Sequence, residues 1–456
     1  MVKGKLVLQG TIELLSPSCI GSGRKDCTEI DVLLDGAGRP FIPATSLVGV
    51  LKHSIGKNAI LEDKNALKKF WGFISKEDGE ISATEKEQQS SLCCSDLYCM
   101  ESDPKIAVRD GIRIDTTKGI VVNGAKYDYQ VVERGTRFKM HLEVSITDIN
   151  REFSRQMVAT IREVLEQGHI HIGAKTNSGL GKMKLTNAHV YEFDFSKKGD
   201  VLRWLKKDFS TPNPFSEKPF EITKNLFSIK AIFRLKSSFI SRSYSVDPKV
   251  PDAVSIKSGD DFIIPGTSLK GAMRSRAERI LHTIFHKDSK KPESIINELF
   301  GNVDDKNRSK NSYKGRISID EVLLPKYSVE LQTRIKIDRF TGGTIETALF
   351  ETMPLFSDVD DMKHFCVNIT IRDYKDHEAG LLLLILKDLW TGDLAVGGEK
   401  GIGRGVLKGQ KATISWNTKI VTLDENISET SNDMKEALQR FVNALVNYEK
   451  GVCPHA

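Results

Sequence analysis

Four cations stand close behind one turn. The stretch Ile263-Ile264-Pro265-Gly266-Thr267-Ser268-Leu269-Lys270-Gly271-Ala272-Met273-Arg274 reads as a strand end, a tight turn and a helix start, and Arg276 and Arg279 extend the basic series. Pro265 and Gly266 break the strand. Thr267 or Ser268 can cap the helix by accepting from its first N–H groups. A helix start edged by hydroxyls, with Lys270 and Arg274 within two turns, is a seat for a phosphate group. The same residues also fit an ordinary capped helix with a solvated basic face.

Two Gly-rich loops carry related chemistry. Gly173–Lys182 holds Lys175 and Lys182, and Gly397–Gly405 holds Lys400 and Arg404. Backbone N–H groups in such loops can approach phosphates while the cations add charge; a tight connection explains them equally well. Neither has the Walker spacing, which argues against nucleotide hydrolysis. Cys93, Cys94 and Cys99 fall close together, but their spacing is not that of a zinc knuckle and no nearby His completes it. They read as a buried strand carrying small residues. His169 and His171 could serve as acid or base, or simply alternate with Ile170 and Ile172 on a short strand.

The elements that position these residues occur twice. Phe41-Ile42-Pro43-Ala44-Thr45-Ser46-Leu47-Val48-Gly49-Val50-Leu51-Lys52 repeats the first stretch 222 positions upstream (265 minus 43), with Ser46 and Lys52 as its polar and basic members. Arg113-Ile114-Asp115 matches Lys336-Ile337-Asp338 at 223 (336 minus 113), and Gly179-Leu180-Gly181-Lys182 matches Gly401-Ile402-Gly403-Arg404 at 222 (401 minus 179). Three landmarks in one order at nearly one spacing indicate two copies of a domain. Each copy reads strand, helix, strand, strand, helix, strand, the split βαβ arrangement of an α+β, ferredoxin-like (RRM-like) domain.

Residues 1–191 and 225–418 are the expected domains, 192–224 a linker containing three prolines, and 419–456 a C-terminal helical extension set apart from the repeat. Residues 75–91 and 302–314 are polar insertions. Extended hairpins are expected over 105–135, with Arg109 and Arg113, and over 333–352, with Arg334, Lys336 and Arg339. The helix over 151–168 places Met157, Val158, Ile161, Val164 and Leu165 on one side.

Composition sets bounds. Length 456 is too much for one core. A net charge of +6 permits an anionic partner without proving one. No apolar run reaches a membrane span. The N-terminus lacks a signal-peptide core, and seven cysteines, an odd count, fit a reducing, cytoplasmic compartment. Aromatic residues are only 7%, so phosphate and ribose contacts should dominate over base stacking in any RNA complex.

The Pro-Gly-Thr-Ser-Leu-Lys-Gly turn, the Arg-Ile-Asp hairpin and the Gly-rich loop before the last strand resemble the RAMP superfamily, the ferredoxin-like RNA-binding subunits of type III CRISPR effector complexes. The resemblance covers about 4–190 and 228–415. The first copy departs at Ala44 and Val48, where the family favours Gly and Lys. Two domains in one chain resemble a fused pair of backbone subunits of a type III-D-like system. The resemblance implies guide RNA, complementary target RNA and other effector subunits as partners, with projecting thumbs at about 109–135 and 333–355.

It also implies an aspartate, in the loop after the first strand, that cuts target RNA. Asp31 and Asp252 are the candidates, 12 and 13 positions before their turn prolines (43 minus 31; 265 minus 252); Asp26 and Asp247 are second choices. RNA cleaves when its 2′-OH stands in line with the adjacent phosphorus. A carboxylate can take the proton or hold Mg²⁺ or another divalent cation, which makes Asp31 and Asp252 the candidate metal ligands. Solvated loop acids are the plainer explanation. Three classes remain open: an RNA-guided ribonuclease subunit, a non-catalytic RNA-binding scaffold, and a stand-alone guide-processing endoribonuclease using His169 or His171.

Overall fold

The computed structural model describes residues 1–23, 27–58, 64–73, 88–115, 118–223, 225–243, 251–286, 289–302, 312–324, 327–357, 363–425 and 432–449. The expected insertions at 75–91 and 302–314 lie largely outside them. Two compact units emerge. One is Met1–Arg109 with Asp128–Thr176 and Leu180–Thr223; the other is Lys224–Ala456 with Asp110–Tyr127 and Asn177–Gly179.

The first sheet is built on β1 (Gly4–Leu14), β2 (Leu92–Cys94), β3 (Arg137–Ile146) and β4 (Lys182–Asp194), in the spatial order β2-β3-β1-β4, all neighbours antiparallel. The short strand Ile170–His171 pairs with the start of β4, which is the alternation expected around His171. The helices Ala44–Asn58 and Arg151–Glu166 make the two crossovers. The second sheet repeats the order with β5 (Leu226–Leu235), β6 (Ile317–Ile319), β7 (Phe365–Arg372) and β8 (Leu407–Trp416), crossed by helices Gly266–Ile284 and Asp376–Thr391. This is the ferredoxin-like split βαβ arrangement, twice.

Period-2 burial explains the sheets. Leu6, Leu8, Ile12 and Leu14 of β1 enter one core, and Phe227, Ile229, Ala231, Phe233 and Leu235 of β5 enter the other. The apolar side of Arg151–Glu166 is buried as its spacing predicts. The expected buried cysteine strand is not continuous: Leu92–Cys94 and Leu97–Tyr98 are separate short strands at the sheet's rim, Cys93 is exposed and Cys94 half-buried, and only Cys99, bridged to Phe138, is buried.

Residues 192–223, the described part of the expected linker, do more than connect. They extend β4, form the helix Lys198–Leu205, and cover the second face of the first sheet, where Trp204 and Phe209 pack on Val7, Tyr191 and Phe193. The C-terminal helix does not stand apart either. Asn432–Glu449 buries Phe441 and Leu445 in the second core, worth about 1.5–3 kcal/mol each. Gly380 makes room for it, since a Cβ there would meet the Phe441 carbonyl oxygen at 2.1 Å. Among the described residues no helix is long and apolar enough to cross a membrane.

Candidate functional site

Both hairpins are present. Ile106–Ile114 pairs with Val121–Val132, and Gln332–Ile337 with Thr344–Met353. The Arg-Ile-Asp landmark makes their tips. Asp115 accepts the Lys118 N–H on Oδ1 (2.9 Å) and Gly119 N–H on its carbonyl (2.8 Å); Asp338 accepts Phe340 and Thr341 N–H on Oδ1 and Gly342 N–H on its carbonyl (2.9 Å). The aspartates are therefore turn-makers. Arg113, Lys336 and Arg339 are exposed on the hairpins, among exposed Ile112, Ile114, Ile335, Ile337 and Phe340.

The acid loops lie against the hairpin bases. Gln130 N–H donates to the Ile30 carbonyl (2.9 Å), and Glu351 N–H donates to Asp252 Oδ2 (3.0 Å). These pairings correct the correspondence between the copies. Leu33 N–H donates to the Ile20 carbonyl as Ile256 N–H does to that of Ser241, and Val32 bridges Gly21 as Ser255 pairs with Arg242. The loop offset is thus 223 (256 minus 33; 255 minus 32). Asp252 corresponds to Glu29 (252 minus 223), and Asp31 to Val254 (254 minus 223). The two aspartates are not equivalent.

Their surroundings differ as well. Asp31 is buried, and it accepts from Cys27 N–H (3.0 Å), Thr28 N–H (2.8 Å) and the Thr28 hydroxyl (2.8 Å). It holds its own turn. Asp252 and Glu29 are exposed. Asp252 Oδ1 and the Glu29 carboxylate make no hydrogen bond or ion pair among the described residues. Asp26 and Asp247 lie outside the described residues.

Several expected RNA contacts are committed elsewhere. Arg109 is 4% exposed and paired with buried Glu133 at 3.6 Å. Arg404 is 3% exposed and pairs with Glu399 (2.8 Å), which also holds Arg242 (2.6 Å) and Arg334 (3.1 Å). These guanidiniums keep the Glu399 carboxyl below its usual range against the opposing effect of burial. Lys175 lies over the Tyr129 ring at 4.6 Å, and Lys182 is half-buried at the start of β4.

The reason for Arg404 is again a shifted correspondence. Lys175 and Glu399 share the left-handed conformation (φ 55° and 56°), short 3₁₀ turns follow at Thr176–Ser178 and Lys400–Ile402, and a Cβ on Gly181 or Gly405 would meet the Ile172 or Val396 carbonyl oxygen at 1.8 Å. The offset is 224 (399 minus 175; 405 minus 181). Arg404 thus takes the place of buried Leu180, and Lys400 that of Thr176. Burial, and then the nearby Arg279, lower the Lys400 ammonium pKa.

The helix starts also differ from expectation. Thr267 and Ser268 do not cap: Pro265 is the N-cap residue and no side chain bonds there. A Cβ on Gly266 would lie 2.3 Å from the Ser178 carbonyl oxygen, so this helix end is covered. At the first start, Asp96 Oδ1 already accepts the Ala44 N–H at 2.8 Å. Ser46 is half-buried and Lys52 exposed.

A cluster of cations lies one turn further along. Lys270 and Arg274 share a helix face, and Arg274 donates to the Gly301 carbonyl (2.8 Å) while pairing with Glu278 (3.3 Å). Gly315 packs on Phe300 and Gly301, which brings Lys314 to the same place, and Arg372 N–H donates to the Arg316 carbonyl (3.2 Å). The Arg372 side chain bonds Asn177 Oδ1 (3.0 Å). Neither the Lys270 nor the Lys314 ammonium has a hydrogen-bond or carboxylate partner among the described residues. Burial first, then Arg274 and Lys314, push Lys270 down to about 8; partial desolvation of the ammonium and then Arg372 lower Lys314, which is exposed as a residue. Lys314, Arg372, Glu29 and Glu399 escaped the sequence reading because only folding gives them neighbours.

No curated protein matches the chain. The RAMP superfamily model matches residues 11–184 and 232–408, one match per unit. With two ferredoxin-like sheets, two thumbs and two Gly-rich turns in the matched regions, the chain belongs to the RAMP superfamily.

Proposed function

We propose that this chain is a guide-RNA-binding backbone subunit of a type III CRISPR effector complex that holds RNA by its phosphates. The observation that carries this reading is the cluster of Lys270, Lys314, Arg274 and Arg372, in which two ammonium groups lack a protein counter-charge among the described residues. A phosphodiester supplies that charge without reading sequence. Arg113, Lys336 and Arg339 add exposed charge along the thumbs. Titrating labelled oligouridine across a salt series tests it: log Kobs should fall linearly with log salt. Binding that ignores salt would refute the phosphate reading.

One observation favours cleavage of complementary target RNA as well. Asp252 and Glu29, at equivalent positions, are exposed acids on loops held to the thumb bases, by Glu351 N–H donating to Asp252 Oδ2 and by Glu29 N–H donating to Asp128 Oδ1. Mg²⁺ is ordinarily held by one or two carboxylates plus substrate phosphates. Among the described residues no group of three His, Cys, Asp or Glu could hold a metal alone, so a cation here would share its ligands with the RNA. In the assembled complex, Asp252→Ala and Glu29→Ala should each remove one cut, and EDTA both. If both cuts survive the double variant, the chain is a scaffold and the chemistry belongs to another subunit.

A further inference from the structure

We infer that the two units are not interchangeable on RNA: only the second grips a backbone phosphate beside the helix that follows its proline turn, and the matching face of the first is closed to one. This rests on the RNA-binding reading above.

The strand registers fix which residues correspond. Ile12 pairs with Phe138, and Phe233 with Phe365. The third strands are therefore offset by 227 (365 minus 138), and Arg372 corresponds to Ser145 (372 minus 227). Leu92 pairs with Val144, and Ile317 with Ile371. The second strands are offset by 225 (317 minus 92), so Lys314 corresponds to Gln89 (314 minus 225). Two glycines check this: Gly72 packs on the Ser90 nitrogen as Gly301 packs on that of Gly315, and 315 minus 225 is 90. The turn prolines give 222, which sets Lys270 against Val48 and Arg274 against Lys52.

Of four cations in the second unit, one survives in the first. Val48, Gln89 and Ser145 carry no charge, and Ser145 accepts a hydrogen bond from Lys5 (3.0 Å). The first helix start, moreover, already holds the Asp96 carboxylate at 2.8 Å from the Ala44 nitrogen. An arriving phosphate would meet a like charge there, where the second unit offers it Lys270 and Lys314. Glu321 stands at the place of Asp96 in the second unit (96 plus 225), so the difference between the units is carried by Lys270, Lys314 and Arg372.

The test uses the full chain and fluorescein-labelled oligouridine. For single-stranded RNA, every phosphate that a variant leaves without its cation lowers the slope of log Kobs against log salt by about 0.7. Lys270→Met with Lys314→Met should lower it by about 0.7, whereas Lys52→Ala should leave it unchanged. Lys314→Gln alone, at an exposed position, should lower it by about half as much and keeps the test independent of folding. The reverse change, Val48→Lys with Asp96→Asn, should raise the slope. An unaltered slope in the Lys270/Lys314 variants, or an equal fall in Lys52→Ala, overturns the assignment. Failure of the wild-type chain to bind at low salt overturns the RNA-binding reading itself.

Discussion

Replacing Lys270 by Met should stabilise the free protein at neutral pH while weakening its hold on RNA. The ammonium is half-buried beside Arg274 and Lys314 and is held down to about 8 from an ordinary 10.5. A drop of about 2.5 units corresponds to about 3 kcal/mol against the folded state. The sign follows from linkage. Below pH about 8 the group is charged in both folded and unfolded chains, and the burden is full. Between about 8 and 10.5 the folded chain sheds its proton first and the burden shrinks; above 10.5 it is gone. Met keeps the apolar stem and omits the charge. Urea unfolding at pH 7 should therefore show the variant more stable by roughly 1–3 kcal/mol, with the gap closing by pH 10.5. A variant less stable than wild type at pH 7, or a gap that ignores pH, would refute the reasoning.

Glu133→Gln should destabilise the chain by about 3–5 kcal/mol, since it removes the carboxylate paired with the buried Arg109 charge. Thermal unfolding measures this, and Arg109→Gln should leave the salt slope for RNA unchanged, because Arg109 faces the protein. Gly405→Ala should lower the melting temperature markedly, because φ is 76° and the new Cβ would lie 1.8 Å from the Val396 carbonyl oxygen. His377, stacked 4.0 Å from Tyr448, is depressed from 6.5 to about 4, chiefly by burial. Stability should fall as pH drops from 6.5 towards 4, where the unfolded chain takes up the proton first; urea titrations of wild type and His377→Phe at pH 7 and 4.5 should show a smaller loss in the variant.

The repeat was legible in sequence because its landmarks are local chemistry. A proline turn, an Asp that makes a hairpin tip and a Gly-rich turn each depend on neighbouring residues, and all three reappear where expected. The registry between landmarks was not legible. A single spacing near 222 conceals offsets of 221 on the first strand (233 minus 12), 223 in the acid loop, 224 in the Gly-rich loop and 227 on the third strand. Insertions fall in loops, where composition does not reveal them, and so a constant spacing sets Asp31 against Asp252 and Gly179 against Gly401. Charge was legible but its use was not. Arg109 and Arg404 read as cations for RNA until folding brings Glu133 and Glu399 to them. Lys314 and Arg372 gain meaning only because the sheet carries them to Lys270.

The seat of Phe441 has a consequence in time. Its ring packs on Phe227, Tyr374 and Trp416, so the core begun by the strand at Leu226 is finished only by residues near Leu445. Between them 219 residues must be synthesised (445 minus 226), which at roughly 5–20 residues per second takes on the order of 10–40 s. Until then whatever part of the aromatic floor has been made, Phe227 first and Trp416 last, is uncovered on the ribosome, a surface for chaperones or for aggregation. A stop codon placed before residue 432 would make the interval permanent.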